Sequence, residues 1–303
     1  MAKTVRIFSG TTGLHTNVDP VRAGFDPKTG ITDLTAGINI DVTDSQKPTR
    51  RKGCVKKSST PGHSLFCDGG AVLFVTGSSL ARLNPDFSHT ILGPVSAPHL
   101  RMRYVQIGSS IYYGNGVHKG VFSEETGTAG DWVAPPSPSD VEVDYQDPVP
   151  PTHLEYYRGR LFTAWENILL YSAEWGYSWF DLVNQVVPFP SRITMIRRVS
   201  EGLYVGCERD GVFFCAGYGP DEFMVDRVSP DPPVEHTDVR VRADSVVGEM
   251  KGDAAMWTSK SGVCFGGSQR MFMNLTEDRV DLPPAMTGCA IANRSAYLSL
   301  INV

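Results

Sequence analysis

Short apolar runs alternate with glycine-containing turns along most of this chain. The pattern repeats as a strand, a turn, a second strand and a second turn: SLFCDGGAVLFVTGSSLARL, MRYVQIGSSIYYGNGVHKGVF, LEYYRGRLFTAWENILLYSAE, MIRRVSEGLYVGCERDGVFFCAG and GEMKGDAAMWTSKSGVCFGG. First-turn anchors Gly69, Gly108, Gly159, Gly202 and Gly252 are spaced 39, 51, 43 and 50 residues apart. Second-turn residues Ser78, Asn115, Asn167, Asp210 and Ser261 are spaced 37, 52, 43 and 51 apart, so both turns drift together. Within a unit the period is two: Leu203, Val205 and Cys207 share a face, and the turn Glu208–Gly211 leads into a second apolar run. No dozen-residue window keeps a 3.6 periodicity. Units of roughly 40 to 50 residues with about four strands each are what a β-propeller blade requires. The expected fold class is therefore all-β, a propeller.

The last residues, Gly288–Val303, read as one hairpin turning at Asn293–Arg294. Half a blade leaves an open edge, so a strand from the N-terminal region is expected to complete it and close the ring. Five internal units plus this shared one predict about six blades. Residues 1–60 differ in texture. Arg6–Gly10 and Ile38–Val42 look like short strands, and the polar connection between them is long enough to lie on a surface or reach a partner. The expected division is an N-terminal extension (1–60), supplying closing strands and partner contacts, and a propeller (61–303). Two proline-rich stretches, 134–151 and 229–236, each fall inside one of the longer repeat spacings and read as insertions between blades.

Thirty glycines and 21 prolines among 303 residues suit such a turn-rich protein. No run approaches the 18 apolar residues of a membrane span, and the start lacks the apolar core of a signal peptide. The net charge of −5 argues against bulk nucleic-acid binding, leaving DNA contact open without specificity. The six cysteines (54, 67, 207, 215, 264, 289) form no CxxC pair, and the expectation is reduced thiols acting as small hydrophobes.

Candidate chemistry is sparse. There is no GxSxG elbow, no HExxH or HxxxH pattern and no phosphate loop. Asp140, Glu142, Asp144 and Asp147 do not have EF-hand spacing. No catalytic residue, cofactor or metal ligand is assigned, and a non-enzymatic role is expected. The strongest charge run, RRKGCVKK, holds Arg50, Arg51, Lys52, Lys56 and Lys57 as candidate partner-binding residues, with solvated strand ends as the alternative.

Two resemblances follow. Ser172–Trp179 resembles the Asp-box turn of sialidase-type propellers, with Ser172, Gly176 and Trp179 matching and Glu174 in place of the aspartate. In that family the box is a structural hairpin turn remote from catalysis. A sialidase would also need an arginine cluster and a Tyr/Glu nucleophile pair, and Arg158, Arg197, Arg198, Tyr156 and Glu155 are the residues of those types. Leu34–Gly53 resembles a segment preceding the first blade in propeller proteins of tailed-phage virions: Leu34, Asn39, Asp41, Asp44, Arg50, Arg51 and Gly53 fit, while Gln46–Lys47 replaces the usual glycine turn and Ala36 is shifted by one. Val18–Leu34 and Leu169–Leu182 are similar to those proteins too. That resemblance implies a structural component of a virion tail (nozzle, tail tip or baseplate), present in several copies and assembled with other tail proteins in a host cytoplasm. The rival expectation is a glycan-binding or sialidase-like propeller for receptor recognition, with Trp132, Trp165, Trp175, Trp179 and Trp257 available to stack on sugars.

Overall fold

The computed structural model describes residues 9–19, 23–26, 28–38, 40–43, 45–53, 55–137, 143–217, 219–277, 279–293 and 296–303. The repeat becomes five antiparallel meanders of four strands. Before them come β1 (Gly10–Leu14), β2 (Phe25–Asp26), β3 (Ile31–Leu34), β4 (Ile40–Val42) and β5 (Pro48–Arg50). Blade 1 is β6 (His63–Phe66), β7 (Val72–Thr76), β8 (Ser79–Leu83) and β9 (His89–Pro94). Blade 2 is β10 (Arg103–Ile107), β11 (Ser110–Gly114), β12 (Lys119–Ser123) and β13 (Thr128–Gly130). Blade 3 is β14 (His153–Tyr157), β15 (Arg160–Trp165), β16 (Ile168–Ala173) and β17 (Gly176–Phe180), with β18 (Val186–Pro188) also paired to β16. Blade 4 is β19 (Ile193–Val199), β20 (Gly202–Cys207), β21 (Gly211–Ala216) and β22 (Met224–Ser229). Blade 5 is β23 (Val239–Arg242), β24 (Asp253–Ser259), β25 (Gly262–Gly266) and β26 (Phe272–Asn274). A hairpin of β27 (Thr287–Ala292) and β28 (Tyr297–Asn302) follows.

The first-turn anchors lie between the first and second strands of a blade, except Gly202, which opens the second strand of blade 4, and the second-turn residues lie between the second and third. Backbone geometry explains the anchors. At Arg158–Gly159 both turn residues have positive φ (46° and 77°), the tight turn whose twist matches paired strands. Gly108 (φ 59°) starts the equivalent turn of blade 2.

Side-chain alternation then joins the blades. Leu203, Val205 and Cys207 pack against Phe162, Leu169 and Tyr171 of blade 3, while Tyr204 on the other face of β20 packs with Trp257 of blade 5. Separate apolar cores likewise lie between blades 1 and 2 (Leu73, Ile111), blades 2 and 3 (Trp132, Leu161), and blade 5 and the terminal hairpin (Met256, Tyr297). No blade buries both faces without its neighbours, and the first strands β10, β14, β19 and β23 touch in series around a common axis. The fold is a β-propeller.

The sixth position departs from expectation. Among the described residues, β27–β28 pairs with no N-terminal strand; the hairpin instead docks on blade 5, where the Tyr297 hydroxyl donates to the Thr237 carbonyl (2.8 Å) and meets the Thr258 hydroxyl (2.9 Å). The expected strand Arg6–Gly10 lies outside the described residues except for Ser9 and Gly10. From Gly10 onward the N-terminal strands pair with one another, β1 parallel to β3, and Arg279 reaches back to the Thr12 carbonyl (3.1 Å) and to Asp33 (3.2 Å), anchoring that sheet against the loop after β26. The proline-rich stretches do lie between blades. Asp147 and Gln146 of the first are bonded to Ala134 and to Phe180 of β17, and the second leads into β23.

Candidate functional site

The inner strands bring charged residues onto the axis. Arg103 is the first residue of β10 and His153 the first of β14; Arg192 immediately precedes β19, and Glu235, His236 and Asp238 lead into β23. Glu155 and Arg197 project from within β14 and β19. Asp238, buried at 4 % exposure, sits between two guanidiniums: its Oδ1 accepts from Arg103 Nη2 at 2.5 Å, and its Oδ2 lies 2.8 Å from Arg197 Nε. The second contact is an ion pair without a hydrogen bond, because the N–H is not aligned with Oδ2. Arg197 also donates to Glu155 Oε2 at 3.3 Å. Beside this network, Arg192 holds Glu235 with two parallel bonds of 3.0 and 3.1 Å and reaches Glu208 at 3.3 Å. Arg240 of β23 meets Asp68 of the β6–β7 turn at 2.8 Å, tying blade 5 to blade 1.

His153 and His236 stack with ring centroids 5.7 Å apart. Nε2 of His153 and Nδ1 of His236 are buried without hydrogen-bond partners, and Nε2 of His153 is 3.7 Å from Glu235 Oε1. Burial first, and then Arg103, His236, Arg197 and Arg192, hold the His153 imidazole well below its ordinary pKa. Burial and Arg103 push His236 down to about 3. Burial alone would raise the Asp238 carboxyl, but attraction to Arg103 and Arg197 outweighs it and holds Asp238 below the usual value. Both imidazoles are therefore held toward the neutral form and Asp238 toward the charged one. An open cleft of about 510 Å³, lined by Glu166, Asn167, Arg192, Glu208 and Asp210, leads to the Arg192 side of this cluster.

None of these axial residues was singled out as a set from the sequence. One signal was available: Arg103, Glu155 and Arg197 stand five, four and five residues before the first-turn glycines Gly108, Gly159 and Gly202, each a charge within an otherwise largely apolar strand. Of the sialidase-type residues, Glu155 and Arg197 do meet. However, β14 alternation sends Tyr156 to the opposite face, where Arg198 lies over its ring at 5.9 Å, so Tyr156 and Glu155 form no pair.

The Asp-box-like residues form a hairpin turn. Ala173 pairs with Gly176 across a two-residue turn of Glu174 and Trp175, the latter at φ 59°. Buried Ser172 accepts the Leu161 N–H at 3.0 Å, and Glu174 lies 3.8 Å from Arg160. Trp179 donates to the Pro135 carbonyl at 3.0 Å and stacks on Tyr145, fastening the first proline-rich insertion to blade 3.

The five tryptophans divide. Trp132 and Trp257 are core, Trp179 is half-buried, and Trp165 and Trp175 are exposed at opposite ends of β15, so they form no shared stacking surface. In the N-terminal segment, Asp41 and Arg51 form a cross-hairpin ion pair of 2.8 Å, while Arg50, Lys52, Lys56 and Lys57 are exposed. Gln46 takes the left-handed conformation (φ 61°) where the resembling proteins have glycine. Asn39, Asp44, Cys54, Asp140 and Glu142 lie outside the described residues. The other five cysteines are free thiols, with 207, 215 and 264 buried, 289 half-buried and 67 exposed.

No protein-family model and no curated protein sequence matches the chain. Among solved structures, it is similar to a chain of the S. cerevisiae complex of Dbp5 with Nup159, Gle1, IP6 and ADP (11 % identity, 79 % of this chain and 72 % of that one, TM-score 0.49). It is also similar to a chain of the BBS1N–ARL6DN crystal structure (13 %, 76 % and 72 %, TM-score 0.48). A third likeness is to PorZ of the Porphyromonas gingivalis type-IX secretion system (11 %, 76 % and 29 %, TM-score 0.44). Among the described residues no helix is long and apolar enough to cross a membrane.

Proposed function

We propose that this chain is a non-enzymatic protein–protein interaction platform, a rigid propeller that presents its N-terminal segment to partners. The observation that carries this is the position of that segment. Strands β1–β3 and the β4–β5 hairpin pair only among themselves among the described residues, outside the blade series. They and the chain beyond them expose Ile38, Val42 and Val55 beside the basic residues Arg50, Lys52, Lys56 and Lys57. Apolar anchors rimmed by charge on an element the ring does not use are the composition of a contact surface. The likeness of Leu34–Gly53 to the virion propellers supports the finer proposal, a structural part of a bacteriophage tail whose partners are other tail proteins.

The test is combined charge reversal, Arg50→Glu, Lys52→Glu and Lys56→Glu, sparing the paired Arg51. The expected result is a melting temperature within about 1 °C of wild type, since exposed charges contribute little, together with failure to co-purify with tail proteins or enter particles. Undiminished incorporation overturns the role of this surface. Absence of the chain from purified particles overturns the virion assignment.

A further inference from the structure

We propose that His153, His236 and Glu235 form a binding site for a divalent transition metal of the zinc type on the propeller axis. One ligand atom from each residue lies within 4.8 Å of the others. Two imidazoles and a carboxylate are a donor set that Zn²⁺ accepts with a fourth position left open. Around zinc, neighbouring N and O ligands stand about 3.3–3.5 Å apart given bonds near 2.1 Å, and His153 Nε2 is already 3.7 Å from Glu235 Oε1.

A second observation points to a ligand. His153 is 2 % exposed, and its Nε2 faces this cluster without a hydrogen-bond partner; Nδ1 of His236 is also buried and unpartnered. The great majority of buried polar atoms in proteins are paired, and leaving one unpaired is unfavourable. A neutral imidazole with a free ring nitrogen is the form that binds metal. His236 is also held at φ 69°, a conformation that aims its ring at His153.

The surrounding charge is compatible with a cation. Arg101, Arg103, Arg192 and Arg197 stand against Glu155, Glu208, Glu235 and Asp238, four positive charges against four negative, so no net positive charge opposes a cation here. Arg192 orients the Glu235 carboxylate in the manner of a supporting outer partner, and Arg192 itself lines an open cleft with Glu208. A metal here would tie the first strand of blade 3 to the segment entering blade 5, two blades that share no apolar core.

The experiment titrates ZnCl₂ into chelator-treated full-length protein by calorimetry and uses CoCl₂ as a spectroscopic probe. The expected result is one Zn²⁺ per chain, a visible d–d spectrum of a tetrahedral or five-coordinate N/O site with Co²⁺, and a melting temperature that rises with zinc concentration. Changing an outer partner of a metal site costs about 10–100-fold in affinity, so His236→Ala and Glu235→Gln should each weaken zinc binding at least about 100-fold. His99→Ala, on the surface, should leave it unchanged. A silent titration of the wild type overturns the proposal, as does binding that survives both variants. If His236→Ala fails to fold, the isosteric Glu235→Gln decides alone.

Discussion

Replacing Asp238 with asparagine tests whether the axial charges hold the ring together. The substitution keeps size and shape but removes the charge between Arg103 and Arg197, which approach it at 2.5 and 2.8 Å. The Asp238 side chain is 2 % exposed, and those of Arg103 and Arg197 are 14 % and 19 % exposed, so water screens little of the resulting repulsion. Breaking a buried pair by removing one partner costs roughly 3–5 kcal/mol. Glu155 still compensates Arg197, which places the expected loss near the lower end, about 3 kcal/mol. At about 2–4 °C per kcal/mol for a chain somewhat smaller than this one, that is a fall in Tm on the order of 6–12 °C.

The same substitution has a pH signature. The folded-state pKa of Asp238 is depressed, so its contribution is present above the ordinary value of 3.8 and is lost as pH falls through the lower folded value. Wild type should lose this contribution in that acid range, and Asp238→Asn has nothing there to lose. The neutral histidines act at higher pH: with His236 held near 3 against an ordinary 6.5, both variants lose stability as pH drops below about 6.5. Calorimetric or urea melts from pH 7 to pH 3 measure both effects. A variant melting within about 1 °C of wild type at pH 7 would falsify the view that the charges are structural.

Trp257→Ala, in the core between blades 4 and 5 with Tyr204 and Phe272 at 5.6 and 5.9 Å, should cost about 3–5 kcal/mol, whereas Trp175→Ala on the surface should leave the melting temperature unchanged. Equal effects in denaturant melts would contradict the assignment of blade faces. In native protein at neutral pH, maleimide should label Cys67 rapidly and Cys207, Cys215 and Cys264 only after unfolding, since burial pushes those thiols up to about 12, 12 and 11. Peptide mapping that finds Cys215 labelled as fast as Cys67 rejects the packing described.

The blades were legible because their signals are local. A glycine at positive φ and a period-two apolar run can be read within about 20 residues, and Gly108, Gly159 and the Leu203–Cys207 alternation stand where the repeat puts them. The terminal hairpin was legible for the same reason, and Asn293 closes its turn by bonding Ala296. The N-terminal sheet was not: its anchor is Arg279, some 250 residues away from Thr12 and Asp33, and nothing near Thr12 announces that partner. Gln46 shows the reverse case, a turn kept in shape although the residue that would mark it is missing. The axial cluster was hidden because each member is a single charge in an otherwise apolar or loop segment. Only closure of the blades around an axis turns Arg103, His153, Arg197 and Asp238 into neighbours.

The Arg103–Asp238 bond also has a kinetic side. It joins residues 135 positions apart in the chain, and blades 2 and 5 share no apolar core. The inter-blade cores can assemble one after another, each from segments adjacent in sequence, but this contact waits until four blades are in place. Interactions absent from the folding transition state govern how fast a protein comes apart rather than how fast it forms. The Arg103–Asp238 pair is thus expected to act as a late-closing clasp, whereas Arg197–Asp238 joins the adjacent blades 4 and 5. A weakened clasp should show as faster unfolding at every denaturant concentration, with the refolding arm of the chevron left where it was.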